Sequence, residues 1–599
     1  MENRTTKWLE FDFHKIMNFK ESKLKSYLNS NHKKMITNLY LNIDSEKTQT
    51  KLKFLQENGF KSQKEILNLL KEIDKKNGDS NFYVNLIFLL LSHNLDETNF
   101  QKELEKINEM SNERKKKGVY YTPEDITDFI LYNSIYQLIT KEFSLKFEPL
   151  HPKKIVSEIL KLSESKSDKI VDFISNISVF DPTCGTGAFL LQILHIKLNL
   201  IKKIKNEINP LNVNNIIDNL KGNDLDSFST YISKIRIIFK CIYFCKGINL
   251  EDIYDKLKNN LTNYNFISEF KFKDKFDLIV GNPPYIEKTK TNYSNLMRYG
   301  NTYADVVHNS INLLKPFGIL GFIIPLSYVS TARMKLLRNF VETNAEYQYI
   351  LSYNDRPDCL FIKVHQKLSI LFISKNKNKN HKIFTSDYKY WYKKERLDLF
   401  LNNNVVSNEN NFDEFYSKVG NEMEKQLLSK IMGFNTNLIS LENKNESNLL
   451  YLNKRATFWI KSFIKKPYNL NEYKIMKLTK DNLHLANAIF NSSLYWWFWI
   501  KISDCWHITN KELLYFTIPQ INRENLNKLM ELSLRLNDAL EKTKEKINTK
   551  QAMYEYKHKN CKMIIDKIDD QLADIYSLTD FELDFIKKYN QKYRLGQNN

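Results

Sequence analysis

The residues best suited to chemistry in this 599-residue chain are Asn282, Pro283, Pro284 and Tyr285. They follow Phe276-Asp277-Leu278-Ile279-Val280-Gly281, an apolar run that reads as a buried strand. An amide, a rigid Pro-Pro pair and an aromatic ring at a strand end have a specific joint use. An amino group conjugated to a heteroaromatic ring, such as N6 of adenine, is a poor nucleophile because its lone pair is delocalised. Two acceptors placed on its two N–H bonds draw it toward tetrahedral geometry. The side-chain oxygen of Asn282 can be one acceptor. The backbone carbonyl of Pro283, held by restricted φ and by Pro284 after it, can be the other. Tyr285 can stack on the ring. Average residue usage produces this tetrapeptide on the order of a few times per thousand chains of this length, and a rigid proline turn is the competing reading.

A second constellation precedes it: Val179-Phe180-Asp181-Pro182-Thr183-Cys184-Gly185-Thr186-Gly187-Ala188-Phe189. A strand ends in an acid, a tight Gly185-x-Gly187 turn follows, and then an apolar helix. The glycines let backbone approach a ligand at the carboxyl end of the strand. The third glycine of a dinucleotide fingerprint is missing, since Leu190 stands in its place. The acid lies before the glycines, where it can pair with an ammonium group instead of repelling a pyrophosphate. That suits the amino-acid end of S-adenosyl-L-methionine. A sulfonium methyl is already activated, so this chemistry asks for no metal and no strong general base; its rate comes from positioning and fixed acceptors.

These motifs need elements to hold them. From 118 to 375, strand-like runs at 174–180, 276–280, 319–324 and 368–373 alternate with helical patterns, which predicts an α/β domain with a largely parallel sheet. Residues 1–117 lack proline and show helical spacing, as in Ile66, Leu67, Leu69, Leu70 and Ile73, so a helical N-terminal domain is expected. Residues 376–535 are mixed, aromatic and basic. The closing region, 536–599, reads as helices, with Thr579-Asp580-Phe581-Glu582 in capping-box form ahead of the last one.

The two constellations resemble motifs I and IV of amino-methyltransferases with the Rossmann-like class I fold. Gly118-Val119-Tyr120-Tyr121-Thr122-Pro123 resembles motif X, which implies cofactor contacts for Tyr121, Thr122 and Pro123. Gly222-Asn223-Asp224 resembles motif II, so Asp224 would accept from the cofactor ribose hydroxyls. Asn265-Phe266 resembles motif III, with Asn265 where the family usually has an acid, and implies contacts to the cofactor's adenine. Leu360-Phe361-Ile362-Lys363 resembles motif VIII, which would make Phe361 a second aromatic on the target base. The motif order, followed by a large basic region, resembles the γ-class N6-adenine DNA methyltransferases of bacterial restriction–modification systems. That resemblance implies S-adenosyl-L-methionine as cofactor and double-stranded DNA as partner. It also implies a catalytic domain at 118–375, target recognition at 376–535, and a separate restriction endonuclease subunit as a candidate partner.

Composition agrees with an anionic partner. Lys+Arg is 90 against Asp+Glu 70, a formal net charge of +20, which favours phosphate binding. At 42% hydrophobic residues the chain can build cores, which argues against intrinsic disorder. No apolar leader opens the chain and the run at 84–91 is too short to span a bilayer, so a cytoplasmic protein without membrane association is expected. Six cysteines without zinc spacing fit a reducing compartment and no metal site. Tyr388, Tyr390, Trp391 and Tyr392 interleave with Lys389, Lys393, Lys394 and Arg396, a pattern open to a nucleic-acid interface, whereas Trp496, Trp497, Trp499 and Trp506 read as core. Three rivals remain: a fused nuclease and methyltransferase, for which Glu113-Arg114-Lys115 is a weak signal; a protein-glutamine or RNA methyltransferase; and a catalytically silent DNA-binding subunit.

Overall fold

The computed structural model describes residues 122–596, apart from 146, 246–247, 270–272, 291–296, 362–363, 377–379, 402, 409–411, 413, 469 and 548–552. The expected N-terminal helices, Glu113-Arg114-Lys115 and Tyr121 lie outside the described residues. The described chain forms two compact units. One holds 122–147 and 152–318, the other 148–151 and 319–596. All six cysteines are buried. Among the described residues no helix is long and apolar enough to cross a membrane.

The first unit carries four strands: β1 (Val179–Asp181), β2 (Leu220–Asn223), β3 (Leu261–Thr262) and β4 (Phe276–Gly281). Their order is β3-β2-β1-β4, all three pairs parallel, with Phe180 opposite Lys221 on one side and Ile279 on the other. Parallel neighbours need crossover connections, and helices supply them. After β1 comes α3 (Ala188–Lys205), preceded in the chain by α1 (Glu124–Glu142) and α2 (Pro152–Asn176). Then α4 (Pro210–Asp218) leads into β2, and α5 (Ser227–Phe244) with α6 (Leu250–Asn260) leads into β3. Helix α7 (Thr302–Leu313) follows β4.

Helix α3 is the hub. It packs on α1, α2 and α5. Phe189, Leu190, Leu191, Ile193, Leu194, Ile196, Leu198, Leu200 and Ile201 are all buried. Apolar burial on nearly every side marks a core helix, and each such side chain contributes about 1.5–3 kcal/mol. Lys197 is buried among them; its ammonium donates to the Ile177 carbonyl at 2.7 Å, and burial pushes its pKa down to about 7.

The expected strand at 174–180 begins later than its apolar run. Ile170, Val171 and Ile174 are buried on the last turns of α2, which ends at Asn176, and β1 starts at Val179. Their spacing satisfies the helical period as well as an apolar run does, and the helix won.

The second unit takes β5 (Leu314–Pro325) from Ile319 onward, then β6 (Ala345–Tyr353), β7 (Leu368–Lys375), β8 (Lys382–Lys389) and β9 (Val405–Ser407), in the order β5-β7-β6-β8-β9. Here the sheet is mixed. β5 and β6 both run antiparallel to β7, β6 and β8 are parallel, and β9 is antiparallel to β8. The largely parallel expectation fails here for a topological reason: no described helix intervenes between β6 and β7, so the chain can return only antiparallel. A small three-stranded antiparallel sheet follows, with Asn448–Asn453 between Ser462–Phe463 and Tyr473–Leu478, and helices close the unit. Trp496, Trp497 and Trp499 are buried on the helix Ser493–Ile502, as their composition suggested.

Candidate functional site

Strand order places the two chemistry-bearing motifs side by side. β1 is flanked by β2 and β4: the chain runs outward from β1 through β2 to β3, then crosses back to β4 on the other side of β1. The crevice at such a reversal, outside the carboxyl ends of the strands, is where open α/β sheets bind ligands. Asp181 ends β1 and Gly281 ends β4; the turn through Gly187 and the loop Asn282–Tyr285 leave these adjacent ends.

The turn is held by backbone and by its neighbours. Gly185 and Gly187 have φ of 52° and 86°. The Gly185 amide donates to Asp224 Oδ2 at 2.8 Å, tying the turn to the end of β2. On α5, the Ser233 hydroxyl donates to the Gly185 carbonyl at 2.9 Å and Arg236 donates to the Thr186 carbonyl at 2.8 Å. Asn223 is buried, and its side-chain amide donates to the carbonyls of Pro182 and Tyr264, both at 3.1 Å, while its oxygen accepts from the Tyr264 amide at 3.2 Å. A Cβ on Gly187 would lie 2.8 Å from Ser233 Oγ, whereas a Cβ on Gly185 would meet nothing within 4 Å.

Asp181 is 1% exposed; its carboxylate accepts from the Thr183 amide at 3.1 Å, and no described lysine or arginine forms an ion pair with it. Burial, then the charge of Asp224, push its pKa well above the ordinary carboxylate range. Burial raises Asp224 as well, although the amides of Asp226 and Gly185 donate to it. Buried acids without basic partners suit a cationic ligand group. The Thr183 hydroxyl is also buried without a partner among the described residues. Open space over Gly185, two acids at the strand ends and an orphaned hydroxyl together fit the amino-acid end of S-adenosyl-L-methionine.

In the second motif Asn282 is half-buried and Pro283 buried. The Asn282 amide nitrogen donates to Thr122 Oγ1 at 3.0 Å, and the Tyr285 hydroxyl donates to Asn282 Oδ1 at 2.5 Å. No hydrogen bond from a described residue engages the Pro283 carbonyl. Thr302, at the start of α7, donates its hydroxyl to the Pro284 carbonyl and accepts from the Ile286 amide at 2.9 Å. The Tyr285 ring packs edge-on against Tyr303, with centroids 6.4 Å apart. Below the loop, β4 is pinned by Asp277, which accepts from the Ser178 amide at 2.9 Å and pairs with Lys315 at 2.8 Å. Burial opposes ionisation of Asp277, but Lys315 and Ser178 outweigh it and hold the pKa below the usual range.

Thr122, Pro123, Asp181, Gly185, Gly187, Asp224 and Asn282–Tyr285 therefore gather in one unit, around two adjacent strand ends and the start of α1. Asn265 caps its own turn, accepting from the amides of Ile267 at 3.0 Å and Ser268 at 3.3 Å. Phe266 is buried with its ring 5.8 Å from that of Phe180. Phe361 belongs to the second unit, buried in the connection from β6 to β7. Tyr388, Tyr390 and Trp391 are buried too, so they are core side chains and present no open face. Asn223, Ser233, Arg236 and Thr302 were not singled out by sequence reasoning. The Asn301-Thr302 pair is a helix-start signal, but what those side chains grip is set by contacts distant in the chain.

Residues 186–359 match the family described as Eco57I restriction-modification methylase. Among similar proteins is the type II restriction enzyme and methyltransferase RM.Eco57I of Escherichia coli, 26% identical over 252 residues, covering 38% of this chain and 24% of that protein. The type II methyltransferase M.BstVI of Geobacillus stearothermophilus is 26% identical over 217 residues, 33% of this chain and 36% of that protein. The chain thus spans about a quarter of the first relative's length and about a third of the second's. A solved structure of the type IIL restriction-modification enzyme MmeI in complex with DNA aligns with a TM-score of 0.47 at 11% identity, over 81% of this chain and 80% of that one. Residues 186–359 are thus similar to the Eco57I restriction-modification methylase family, and parts of the chain are similar to type II methyltransferases.

Proposed function

We propose that the chain is a site-specific DNA methyltransferase that moves the methyl group of S-adenosyl-L-methionine to N6 of a flipped-out adenine in double-stranded DNA. The observation that carries this reading is the adjacency of the Asp181–Gly187 turn and the Asn282–Tyr285 loop at the carboxyl ends of β1 and β4. When bound, S-adenosyl-L-methionine supplies an activated sulfonium methyl. Asp181 faces its ammonium group, Gly185 and Gly187 give it room, and Asp224 accepts from its ribose through lone pairs that the two amide bonds leave over. Thr122, bonded to Asn282, and Pro123 after it lie beside this site, and Asn265 and Phe266 follow the end of β3.

On the substrate side, Asn282 Oδ1 and the Pro283 carbonyl accept from the adenine amino group and hold it pyramidal for attack. The amide oxygen has two lone pairs, so the bond from the Tyr285 hydroxyl leaves one for the substrate. Tyr285 stacks on the extruded base. Acceptors fixed in place before reaction need no reorganisation at the transition state, which is where such sites gain most of their rate. Residues 376–535, with the excess of basic groups, read the target sequence, and the protein acts in the cytoplasm, where the DNA is.

Labelled methyl transfer to unmethylated DNA, RNA and protein in parallel tests the reading. Label in DNA, recovered as N6-methyladenine, supports it; label only in RNA or protein, or none at all, overturns it. A second reading, a combined restriction endonuclease and methyltransferase, is favoured by the double activity in the name of the Escherichia coli relative. Incubation with Mg²⁺ and unmethylated DNA decides between the two by the presence or absence of cut ends.

A further inference from the structure

We propose that Thr302 is a positioning residue for this site: its hydroxyl fixes both peptide groups of Tyr285 and thereby aims the ring and the Asn282 acceptor. The inference rests on the reading of the Asn282–Tyr285 loop given above. The Pro284 carbonyl and the Ile286 amide belong to the peptide units on either side of Tyr285. One hydroxyl joins them, donating to the first and accepting from the second at 2.9 Å. The Thr302 amide adds a third tie, donating to the Ile286 carbonyl at 3.0 Å. With both flanking peptides held, the backbone dihedrals of Tyr285 have little freedom.

A threonine at a helix start commonly caps its own helix. Here Asn301 takes that duty, its side chain accepting from the Tyr303 amide at 3.4 Å. The Thr302 hydroxyl is thereby released to bond a segment 16 to 18 residues upstream. Thr302 has no exposed surface, so water cannot replace the hydroxyl without rearrangement. The next residue, Tyr303, is the one whose ring packs against Tyr285, so the first turn of α7 supports the loop through backbone, hydroxyl and ring.

The test uses full-length Thr302→Val and Thr302→Ser, with unmethylated plasmid DNA and labelled S-adenosyl-L-methionine. Valine keeps the shape and removes the hydroxyl; serine keeps the hydroxyl. A loop displaced by a fraction of an ångström to one ångström lowers turnover on the order of 10- to 100-fold. The expected result is a fall of that size in kcat for Thr302→Val, with KM for DNA and cofactor affinity within about threefold of wild type, and recovery of most of the turnover in Thr302→Ser. Wild-type turnover in Thr302→Val overturns the proposal. So does an equal fall in Thr302→Ser, which would assign the effect to packing. Should Thr302→Val fail to fold, Thr302→Ala against Thr302→Ser provides the same comparison. Failure of the underlying reading is separable, because it shows as absent DNA methylation by the wild type.

Discussion

Replacing Gly185 by alanine adds one methyl group to open space, since a Cβ there meets no atom within 4 Å. The backbone cost is that of a non-glycine residue at φ of 52°, about 1–2 kcal/mol. Gly187 differs. Its φ is 86°, and its Cβ would lie 2.8 Å from Ser233 Oγ, the hydroxyl that donates to the Gly185 carbonyl. Relieving that contact means turning Ser233 away and losing a hydrogen bond worth about 1 kcal/mol, in addition to the backbone strain. Gly187→Ala should therefore cost the fold about 2–3 kcal/mol, more than Gly185→Ala. Ligand affinity should separate the two further. If the space over Gly185 is where S-adenosyl-L-methionine lies, the alanine methyl overpacks it by about 1–3 kcal/mol, which is roughly 5- to 150-fold in Kd. Calorimetric titration with the cofactor, beside thermal unfolding of the free proteins, measures both quantities. Gly185→Ala with the smaller stability loss of the two and much weaker cofactor binding is the expected pattern. Wild-type affinity in Gly185→Ala would refute the assignment of that space to the cofactor.

Two further outcomes follow from buried charge. Between the unfolded value and its raised folded value, Asp181 leaves the native state holding more protons than the unfolded chain, so stability of the free protein declines as pH rises across that window. A cationic ligand group reverses the preference. Cofactor affinity should fall as pH drops through the raised pKa, and Asp181→Asn should stabilise the free protein at neutral pH while weakening binding and flattening its pH profile; calorimetry from pH 5 to 8 checks all three. In the second unit, Lys501 has no exposed surface, pairs with Asp387 at 2.5 Å and Glu424 at 2.6 Å, and donates to the Tyr589 hydroxyl at 3.0 Å. Lys501→Met strands the buried Glu424 and should destabilise the protein by about 3–5 kcal/mol, with Glu424→Gln in the same chain recovering part of the loss; thermal unfolding of the single and double variants reads the difference.

The parts of this molecule legible in the sequence are those whose chemistry is local. That Asp181 ends a strand before a glycine turn, and that Asn282–Tyr285 follows a strand, was readable because strand and turn lie within about ten residues of one another, a window that their signals cover. The capping box at Thr579 is another instance: its side chain accepts from the Glu582 amide at 3.2 Å and Glu582 accepts from the Thr579 amide at 2.8 Å. What the residues hid is set by distant partners. Nothing near Asn223 says that it joins the turns after β1 and β3, and nothing near Thr302 says that it grips Ile286. The antiparallel return of β7 depends on which strand it meets, not on its own composition. The aromatic and basic run at 388–396 misled for a related reason: alternation of Tyr and Lys is equally the pattern of a strand and its continuation with one face buried, and Tyr388, Tyr390 and Trp391 took that course.

In the proposed function, the Asn282 side chain activates an adenine amino group. Nucleoside mass spectrometry of DNA incubated with S-adenosyl-L-methionine and either the wild type or Asn282→Ala tests it most directly. The expected result is N6-methyladenine with the wild type and at least about a hundredfold less, on the order of the loss of one fixed transition-state contact, with an Asn282→Ala protein that still binds cofactor. Equal yields from both, or a methylated base other than adenine, would contradict it.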